Sequence, residues 1–288
     1  MPQSMSPTTR DIPEECLHHR LIPEERIAFD RDGFLILPDV LGPETVSQLI
    51  QIVDRIDAQY RKDRDITADK RLSILDVIGE DPLLLALLDL PQTFGRVVDI
   101  LGPYIQLYHS HLVTTPPDST PPAPRLGWHQ DSGRLNADLE TNPRPRVSIK
   151  VGFLLTDTAG ATDKGNFHVV PGSHLDNRLR FPADKSIDHP DSLPVQASAG
   201  AAVFFDRRLW HAAGNNGSNI TRKAIFYGYS YRWLRPRDDM TVAHYLPDCG
   251  PIRQQLLGVS HTGGFGYTSP SEEDVPLAAW WQERTDGA

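Results

Sequence analysis

Residues 201–233 read AAVFFDRRLWHAAGNNGSNITRKAIFYGYSYRW and contain two segments rich in β-branched and aromatic residues. These segments, 201–206 and 222–233, have the composition of β-strands, whereas the GNNGSN run between them is typical of a turn. We therefore predict a hairpin, with His211 at its mouth just beyond the first strand and Arg222 at the start of the second.

Strand signals recur upstream of this hairpin, and helical signals come before them. The strand segments are YIQLYHSHLVTT (104–115), RVSIKVGFLL (146–155) and NFHVVPGSH (166–174), which Gly, Pro and Asn clusters separate. They are preceded by a short strand over Phe34–Leu37, a helix after Pro43 and a second helical region over 81–102 that breaks at Pro91. Because helices come first and strands follow without β–α alternation, we predict a mainly β fold with flanking α-helices, built as a sandwich or barrel.

We expect these elements to form one domain. Residues 1–25 are polar and rich in proline, which predicts a flexible N-terminal arm, and residues 26–288 then form the single domain. Residues 175–196 are charged and contain prolines, which predicts a long surface loop or lid. The segment from about 240 to 288 is interpreted as a C-terminal flap.

Composition narrows the class of protein. The chain has 288 residues, 39% of them hydrophobic, and a net charge of −9, which argues against a nucleic-acid binder. Its two cysteines, Cys16 and Cys249, lie far apart, so neither a disulfide scaffold nor a thiolate zinc site is indicated. Without an apolar run of membrane-spanning length or a signal core, we expect a cytoplasmic protein that acts on a small molecule and has no membrane partner. An oligomer is compatible with this composition.

A second stretch, GWHQDSGR (127–134), carries groups that bind metals. On a strand, residues i and i+2 point to the same face, so His129 and Asp131 can present an imidazole and a carboxylate to one ion while Gln130 turns away. His211 can supply the third ligand from another strand end. Two histidines and one carboxylate leave three positions open, which suits non-haem Fe(II) with a cosubstrate and O2.

Arg222 lies eleven residues past His211 and can fold back alongside the metal strand. A buried guanidinium at this point would bind a distal carboxylate in bidentate fashion. The set therefore suggests an iron that chelates a dicarboxylic keto acid. Two alternatives remain open: a zinc hydrolase or isomerase that uses the same three ligands, and a non-catalytic metal-binding barrel. Arg222 favours the oxygenase, because a hydrolase has no need to clamp a second carboxylate.

The chain resembles the phytanoyl-CoA dioxygenase family of Fe(II)- and 2-oxoglutarate-dependent oxygenases. The similarity runs from DGFLILPDVL near residue 32 to about residue 233 and includes WHQD, GNFHVVPGSH and VFFDRRLWHAAGNNGSNITRKAI in this order. It implies a double-stranded β-helix, or jelly-roll, fold. It also implies iron ligands at His129, Asp131 and His211, with Arg222 on the far carboxylate of 2-oxoglutarate.

The resemblance further implies the type of reaction. Halogenating members carry a small residue in place of the metal carboxylate, so the presence of Asp131 favours hydroxylation or a related oxidation. The expected substrate is a small organic molecule, such as a secondary metabolite or a lipid-like acid, with succinate and CO2 as co-products. His111 matches a position near the cosubstrate, and Gln130 is a further candidate for cofactor contact. Ala213 replaces a hydroxyl-bearing partner of the cosubstrate carboxylate, which is a departure from the family pattern.

Overall fold

The structure is a computed structural model that describes residues 12–120, 125–184, 188–263, 265–268 and 270–285. The strands are β1 Phe34–Leu37, β2 Leu72–Leu75, β3 Ile105–Thr115, β4 Ser148–Leu154, β5 Phe167–Val169, β6 Leu193–Pro194, β7 Ala202–Asp206, β8 His211–Ala213 and β9 Arg222–Tyr231. The α-helices are α1 Pro23–Asp32, α2 Pro43–Arg64, α3 Pro82–Ala86, α4 Pro91–Leu101, α5 Gly133–Asp138, α6 Pro251–Leu256 and α7 Pro276–Thr285. The predicted order of helices first and strands later is therefore present, with three further helices placed among and after the strands.

Two antiparallel sheets form the body of the fold. The larger has six strands in the order β1-β7-β4-β9-β3-β2, and the smaller has three in the order β6-β5-β8. An isolated bridge between His129 and His211 adds a fourth segment to the smaller sheet. A cluster of buried apolar side chains that includes Val113, Phe167 and Phe226 fills the space between the sheets. This is the double-stranded β-helix arrangement.

The outer face of the larger sheet packs against the helices. Residues of β9 alternate, so that Phe226 joins the interior cluster while Tyr227 and Tyr229 join the helical side. The hydroxyl of Tyr227 donates to the carbonyl of Leu84 at 2.5 Å, and that of Tyr229 donates to the carbonyl of Leu88 at 2.7 Å. These bonds anchor the sheet to the segment around α3, which makes the wall behind the interior rigid.

The predicted hairpin between His211 and Arg222 is wrong. Strand β8 pairs with β5 in the smaller sheet, whereas β9 pairs with β3 and β4 in the larger one. The turn-forming run instead crosses between sheets, and the buried amide of Asn216 fixes it by donating to the carbonyls of Thr115 and Ile220 at 2.8 and 2.9 Å. His211 and Arg222 consequently reach the interior from opposite sheets.

The two terminal regions lie on the helical side. Of the predicted flexible arm, residues 12–25 are packed: Glu14–His19 form a 3-10 helix with Cys16 buried, and Arg20 pairs with Asp99 of α4 at 2.9 Å. This part of the predicted arm is therefore held against the helices, and residues 1–11 lie outside the described residues. At the other end, α7 packs Leu277 and Trp281 into the same helical core. The division into a single domain from residue 26 stays a prediction.

The predicted lid, 175–196, is described except for residues 185–187. Asp188 ties it to the segment that carries the metal motif, because its carboxylate accepts from the indole nitrogen of Trp128, the residue before His129, at 2.6 Å. Among the residues that the structure describes, none of the helices has both the length and the apolar composition needed to cross a membrane.

Candidate active site

Three predicted metal ligands converge at one end of the interior. The backbones of His129 and His211 exchange two hydrogen bonds of 3.0 Å, and the backbone N–H of Asp131 donates to the carbonyl of Arg207 at 2.9 Å. One ligand atom from each of the three side chains lies within 4.8 Å of those of the other two. The backbone therefore presents two imidazoles and a carboxylate to one point, as the i, i+2 spacing predicted.

Both histidines have the tautomer that metal binding requires. Nδ1 of His129 lies 2.9 Å from the carbonyl oxygen of Gly127, and Nδ1 of His211 lies 2.8 Å from that of Leu209. Because a carbonyl only accepts, each Nδ1 carries the hydrogen and each Nε2 keeps a free lone pair. Burial lowers the pKa of His211 to about 4, so this imidazole is neutral at pH 7. The donor set fits a divalent metal ion.

A lysine accompanies the carboxylate of the triad. Nζ of Lys150, on β4, lies 2.8 Å from Oδ2 of Asp131, and both side chains are largely buried. The other oxygen, Oδ1, lies 3.8 Å from Nε2 of His211 and faces the other ligands. Burial alone would raise the pKa of Asp131, but Lys150 and His211 outweigh it and lower the pKa, so the carboxylate is ionised. Lys150 was not singled out from the sequence, although it is the one charged side chain inside the apolar run VSIKVGFLL.

The triad opens into a cavity of about 400 Å³ between the two sheets. Its apolar walls include Phe167, Phe205 and Phe226. A cavity of about 530 Å³ also lies on the outside of the molecule, against α2 and α3, but none of the three ligands lines it. We therefore take the interior cavity as the candidate active site.

Arg222 lies in the wall of this cavity on the larger sheet. Its side chain is buried, and within the described part of the chain Nε and Nη2 have no hydrogen-bond partner. Burial, together with the nearby charge of Arg71, lowers the pKa of Arg222 to about 10. A buried cation without an acid is costly, which makes this guanidinium a binding point for an anion that enters the cavity.

His111, Gln130 and Ala213 also line the cavity. Nε2 of His111 lies 2.7 Å from the hydroxyl of Ser73, and burial, helped by Lys150, lowers the pKa of His111 to about 3, so the ring is neutral. The amide of Gln130 donates to the carbonyl of Arg208 and accepts from Arg144, so its polar atoms brace the strand end. Cofactor contacts of His111 and Gln130 therefore stay predictions. Ala213 offers no side-chain hydrogen bond, so any clasp on a carboxylate here depends on Arg222 and its neighbours.

The family model for phytanoyl-CoA dioxygenase (PhyH) matches residues 29–224, which is more than half of the chain. The chain belongs to the phytanoyl-CoA dioxygenase family. Among its relatives, an uncharacterized protein of Mycobacterium tuberculosis is 27% identical over 86% of this chain and 90% of its own length. The ectoine dioxygenase of Nocardia farcinica is 25% identical over 70% of this chain and 76% of its own length.

Solved structures agree on the fold. HygX from Streptomyces hygroscopicus, in a structure with nickel and 2-oxoglutarate bound, superposes with a TM-score of 0.59 over 75% of this chain and 89% of its own, at 19% identity. Another structure of the same protein also holds hygromycin B. The predicted family, jelly-roll fold class and dioxygenase class are thus confirmed.

Proposed function

We propose that this dioxygenase uses Fe(II) and 2-oxoglutarate to hydroxylate an unactivated C–H bond of a small organic molecule. His129, Asp131 and His211 would hold the iron, and Arg222 the far carboxylate of 2-oxoglutarate. One observation carries the proposal: a ligand triad with free Nε2 atoms shares a cavity with a buried, unpaired guanidinium. Such a cavity can bind a metal ion at the triad and an anionic group at the guanidinium.

Each group of residues in the cavity has a separate role. His129 and His211 hold their Nε2 atoms in place through the backbone carbonyls that accept from Nδ1. Lys150 orients Asp131 by binding one carboxylate oxygen and leaving the other to face the histidines. Phe167, Phe205 and Phe226 keep water from the reacting groups and offer an apolar surface to the substrate. Three protein ligands would leave coordination positions of the ion free for cosubstrate and O2.

The reaction balances without a further reductant. Bound Fe(II) would supply the activation of O2. One oxygen atom enters succinate as 2-oxoglutarate loses CO2, and the other enters the substrate, converting C–H to C–OH. Two electrons come from 2-oxoglutarate and two from the substrate, which together reduce O2.

Two further observations support a small substrate. The cavity of about 400 Å³ lies in the lower part of the range of about 300–1,000 Å³ that is usual for small-molecule sites. The related ectoine dioxygenase is named for ectoine, and one structure of the structurally similar HygX holds hygromycin B. A secondary metabolite or a lipid-like acid fits these dimensions, and desaturation, epoxidation and ring formation are variants of the same chemistry.

The rival zinc hydrolase or isomerase would use the same triad but has no use for Arg222. It would place one water on a four-coordinate ion, and a buried unpaired guanidinium nearby would only destabilise the fold. Arg222 and the family membership both favour the oxygenase.

The test needs no substrate. Apo-protein is prepared without oxygen, Fe(II) and then 2-oxoglutarate are added, and the visible charge-transfer band of the chelate is titrated. We expect a saturable band in the wild type and no band in Asp131→Ala. Arg222→Ala should require at least tenfold more 2-oxoglutarate, because a charge-assisted hydrogen-bond pair contributes roughly 1.5–3 kcal/mol.

Arg235→Ala is the matched control, since Arg235 is an exposed arginine that does not line the cavity. It should bind 2-oxoglutarate as the wild type does. Tight metal binding without a band in the wild type would contradict the oxygenase and favour the hydrolase. An unchanged titration in Arg222→Ala would remove that residue from the proposed cosubstrate site.

A further inference from the structure

Another arginine, Arg237, lines the same cavity. Arg237 follows β9, and its backbone N–H donates to the carbonyl of Tyr108 on β3 at 2.7 Å. The next residue, Asp238, attaches the same segment to β3 a second time. Its carboxylate accepts from the backbone N–H of Ser110 at 2.5 Å and from the Ser110 hydroxyl at 2.9 Å. The backbone that carries Arg237 is therefore anchored to the sheet, while the long side chain is exposed at the cavity.

The guanidinium of Arg237 has no hydrogen bond or ion pair to any part of the chain that the structure describes. Many exposed arginines have no protein partner because water solvates them. The groups around Arg237 therefore decide whether it belongs to the site. The charge of Arg237 reaches into the site, since together with burial and Lys150 it lowers the pKa of His111. This arginine is thus part of the electrostatics of the cavity and not only of the outer surface.

Arg222 and Arg237 approach the cavity from different ends. Arg222 lies opposite Thr115 in the β3–β9 register, whereas Arg237 is bonded to Tyr108, seven residues earlier on β3. At about 3.3 Å per residue, these two points of the strand are roughly 20 Å apart. Lys150 projects between them, because it lies opposite Gly228, the partner of His109. The metal carboxylate that Lys150 binds therefore lies between the two arginines.

The charges that line the cavity are unbalanced. Four basic side chains, Arg71, Lys150, Arg222 and Arg237, face one carboxylate, Asp131, among the residues described there. Fe(II) and 2-oxoglutarate carry opposite double charges, so loading the site leaves this excess in place. The whole chain has a net charge of −9, so a positive cavity is a local feature. Arg71 precedes Leu72, which pairs with Thr114 of β3, so Arg71 lies at the same end as Arg222, the proposed cosubstrate end. Arg237 is anchored at the other end, at Tyr108.

We propose that the substrate is an organic acid whose carboxylate or phosphate group binds Arg237, across the metal site from Arg222. The inference rests on the proposed function and names the substrate class for the same cavity. Apolar walls at Phe205 and Phe226 would hold the body of the acid, and the guanidinium would hold its charged end. The distance between Arg237 and the triad would then determine which carbon atom of the acid lies next to the metal.

The experiment compares probes that differ only in the head group. 4-Phenylbutanoate, 4-phenylbutyl phosphate, 4-phenylbutanamide and 4-phenylbutylamine are titrated, without oxygen, into the protein loaded with Fe(II) and 2-oxoglutarate, and dissociation constants are measured by calorimetry. The wild type should bind at least one acid about tenfold more tightly than the amide and the amine. The two acids show whether the site prefers a carboxylate or a phosphate.

Arg237→Gln should abolish this preference, and Arg237→Glu should reverse it in favour of the amine. Arg235→Gln, two residues away and outside the cavity lining, should leave it unchanged. The affinity for 2-oxoglutarate should be the same in all three variants. A wild type that does not distinguish acid from amide, or an Arg237→Gln variant that weakens 2-oxoglutarate binding, would overturn the inference. Absence of the cosubstrate band in the wild type would instead overturn the proposed function.

Discussion

Lys150 Nζ lies 2.8 Å from Oδ2 of Asp131, so the one carboxylate of the metal triad is already paired with a buried cation. The charge of Lys150 compensates that of the buried Asp131 before any metal binds. It also gives each oxygen of Asp131 a separate partner, since Oδ1 faces His211. A carboxylate held in this way is set to bind an ion through one oxygen.

Lys150→Met tests this arrangement through stability. Without the lysine, the buried carboxylate loses the lysine cation that pairs with it among the described residues, and we expect the apo-protein to lose about 3 kcal/mol. The loss should be smaller with Fe(II) bound, because the ion replaces the missing charge, and Fe(II) should therefore bind the variant more tightly. Urea unfolding without oxygen, with and without Fe(II), measures both effects.

The control for Lys150 is Lys223→Met. Lys223 lies on the neighbouring strand β9 and pairs with the half-exposed carboxylate of Asp54 at 2.7 Å. A pair at the surface should contribute about 1 kcal/mol or less, equally in both metal states. Equal losses with and without Fe(II) in Lys150→Met would show that the lysine does not compensate the metal carboxylate.

Arg222→Met should make the apo-protein more stable. The wild type buries an unpaired guanidinium, whose pKa burial lowers to about 10, and an apolar side chain removes that desolvation cost. We expect a gain of about 1–3 kcal/mol in urea unfolding. Addition of 2-oxoglutarate to the metal-loaded protein should stabilise the wild type more than the variant at the same concentration. A variant less stable than the wild type would mean that Arg222 has a structural partner.

Gly152→Ala should disturb the cavity wall. A Cβ atom at Gly152 would lie 2.5 Å from the ring of Phe226, which must then move toward the cavity. We expect a loss of about 1–3 kcal/mol, together with weaker 2-oxoglutarate binding. Phe226→Leu in the same chain should restore part of the stability and part of the 2-oxoglutarate affinity. A double-mutant cycle measures this coupling. At Gly133 the added Cβ meets no atom within 4 Å, so Gly133→Ala should cost little stability.

Asp238 should make stability depend on pH. Burial raises its pKa to about 6, above the value in the unfolded chain. The folded state therefore favours the protonated carboxyl, and the resulting stability is complete below about pH 4 and is lost as pH rises through about 6. Relative to Asp238→Asn, the wild type should lose about 2–3 kcal/mol between pH 4 and pH 7. Parallel stability profiles of the two proteins over this range would contradict the raised pKa.

Local patterns predicted much of the fold. Strand β1 has the predicted bounds Phe34–Leu37, and α2 begins at the predicted Pro43, because alternation and helical spacing are properties of neighbouring residues. Such local patterns could not predict that β8 and β9 join different sheets. A polar run such as GNNGSN marks a change of direction but does not specify which sheet receives the next strand, and that choice depends on contacts distant in sequence.

The site was predictable where a motif has fixed spacing. His129, Asp131 and His211 meet as expected, because the fold puts the i, i+2 pair and the third strand end at one bridge. Lys150 and Arg237 were not singled out, since a lysine in a strand or an arginine in a loop usually faces solvent. Only the register of β4 and the anchoring of the segment after β9 turn these two side chains toward the cavity.

The most direct test of the central claim follows the oxygen atoms. The protein is loaded with Fe(II) and 2-oxoglutarate and exposed to ¹⁸O2, and the succinate formed in the absence of substrate is analysed by mass spectrometry. We expect succinate with one ¹⁸O atom per molecule from the wild type and from Arg235→Ala, and none above background from Asp131→Ala. Succinate without label, or equal succinate from Asp131→Ala, would contradict the account of an iron- and 2-oxoglutarate-dependent dioxygenase at this triad.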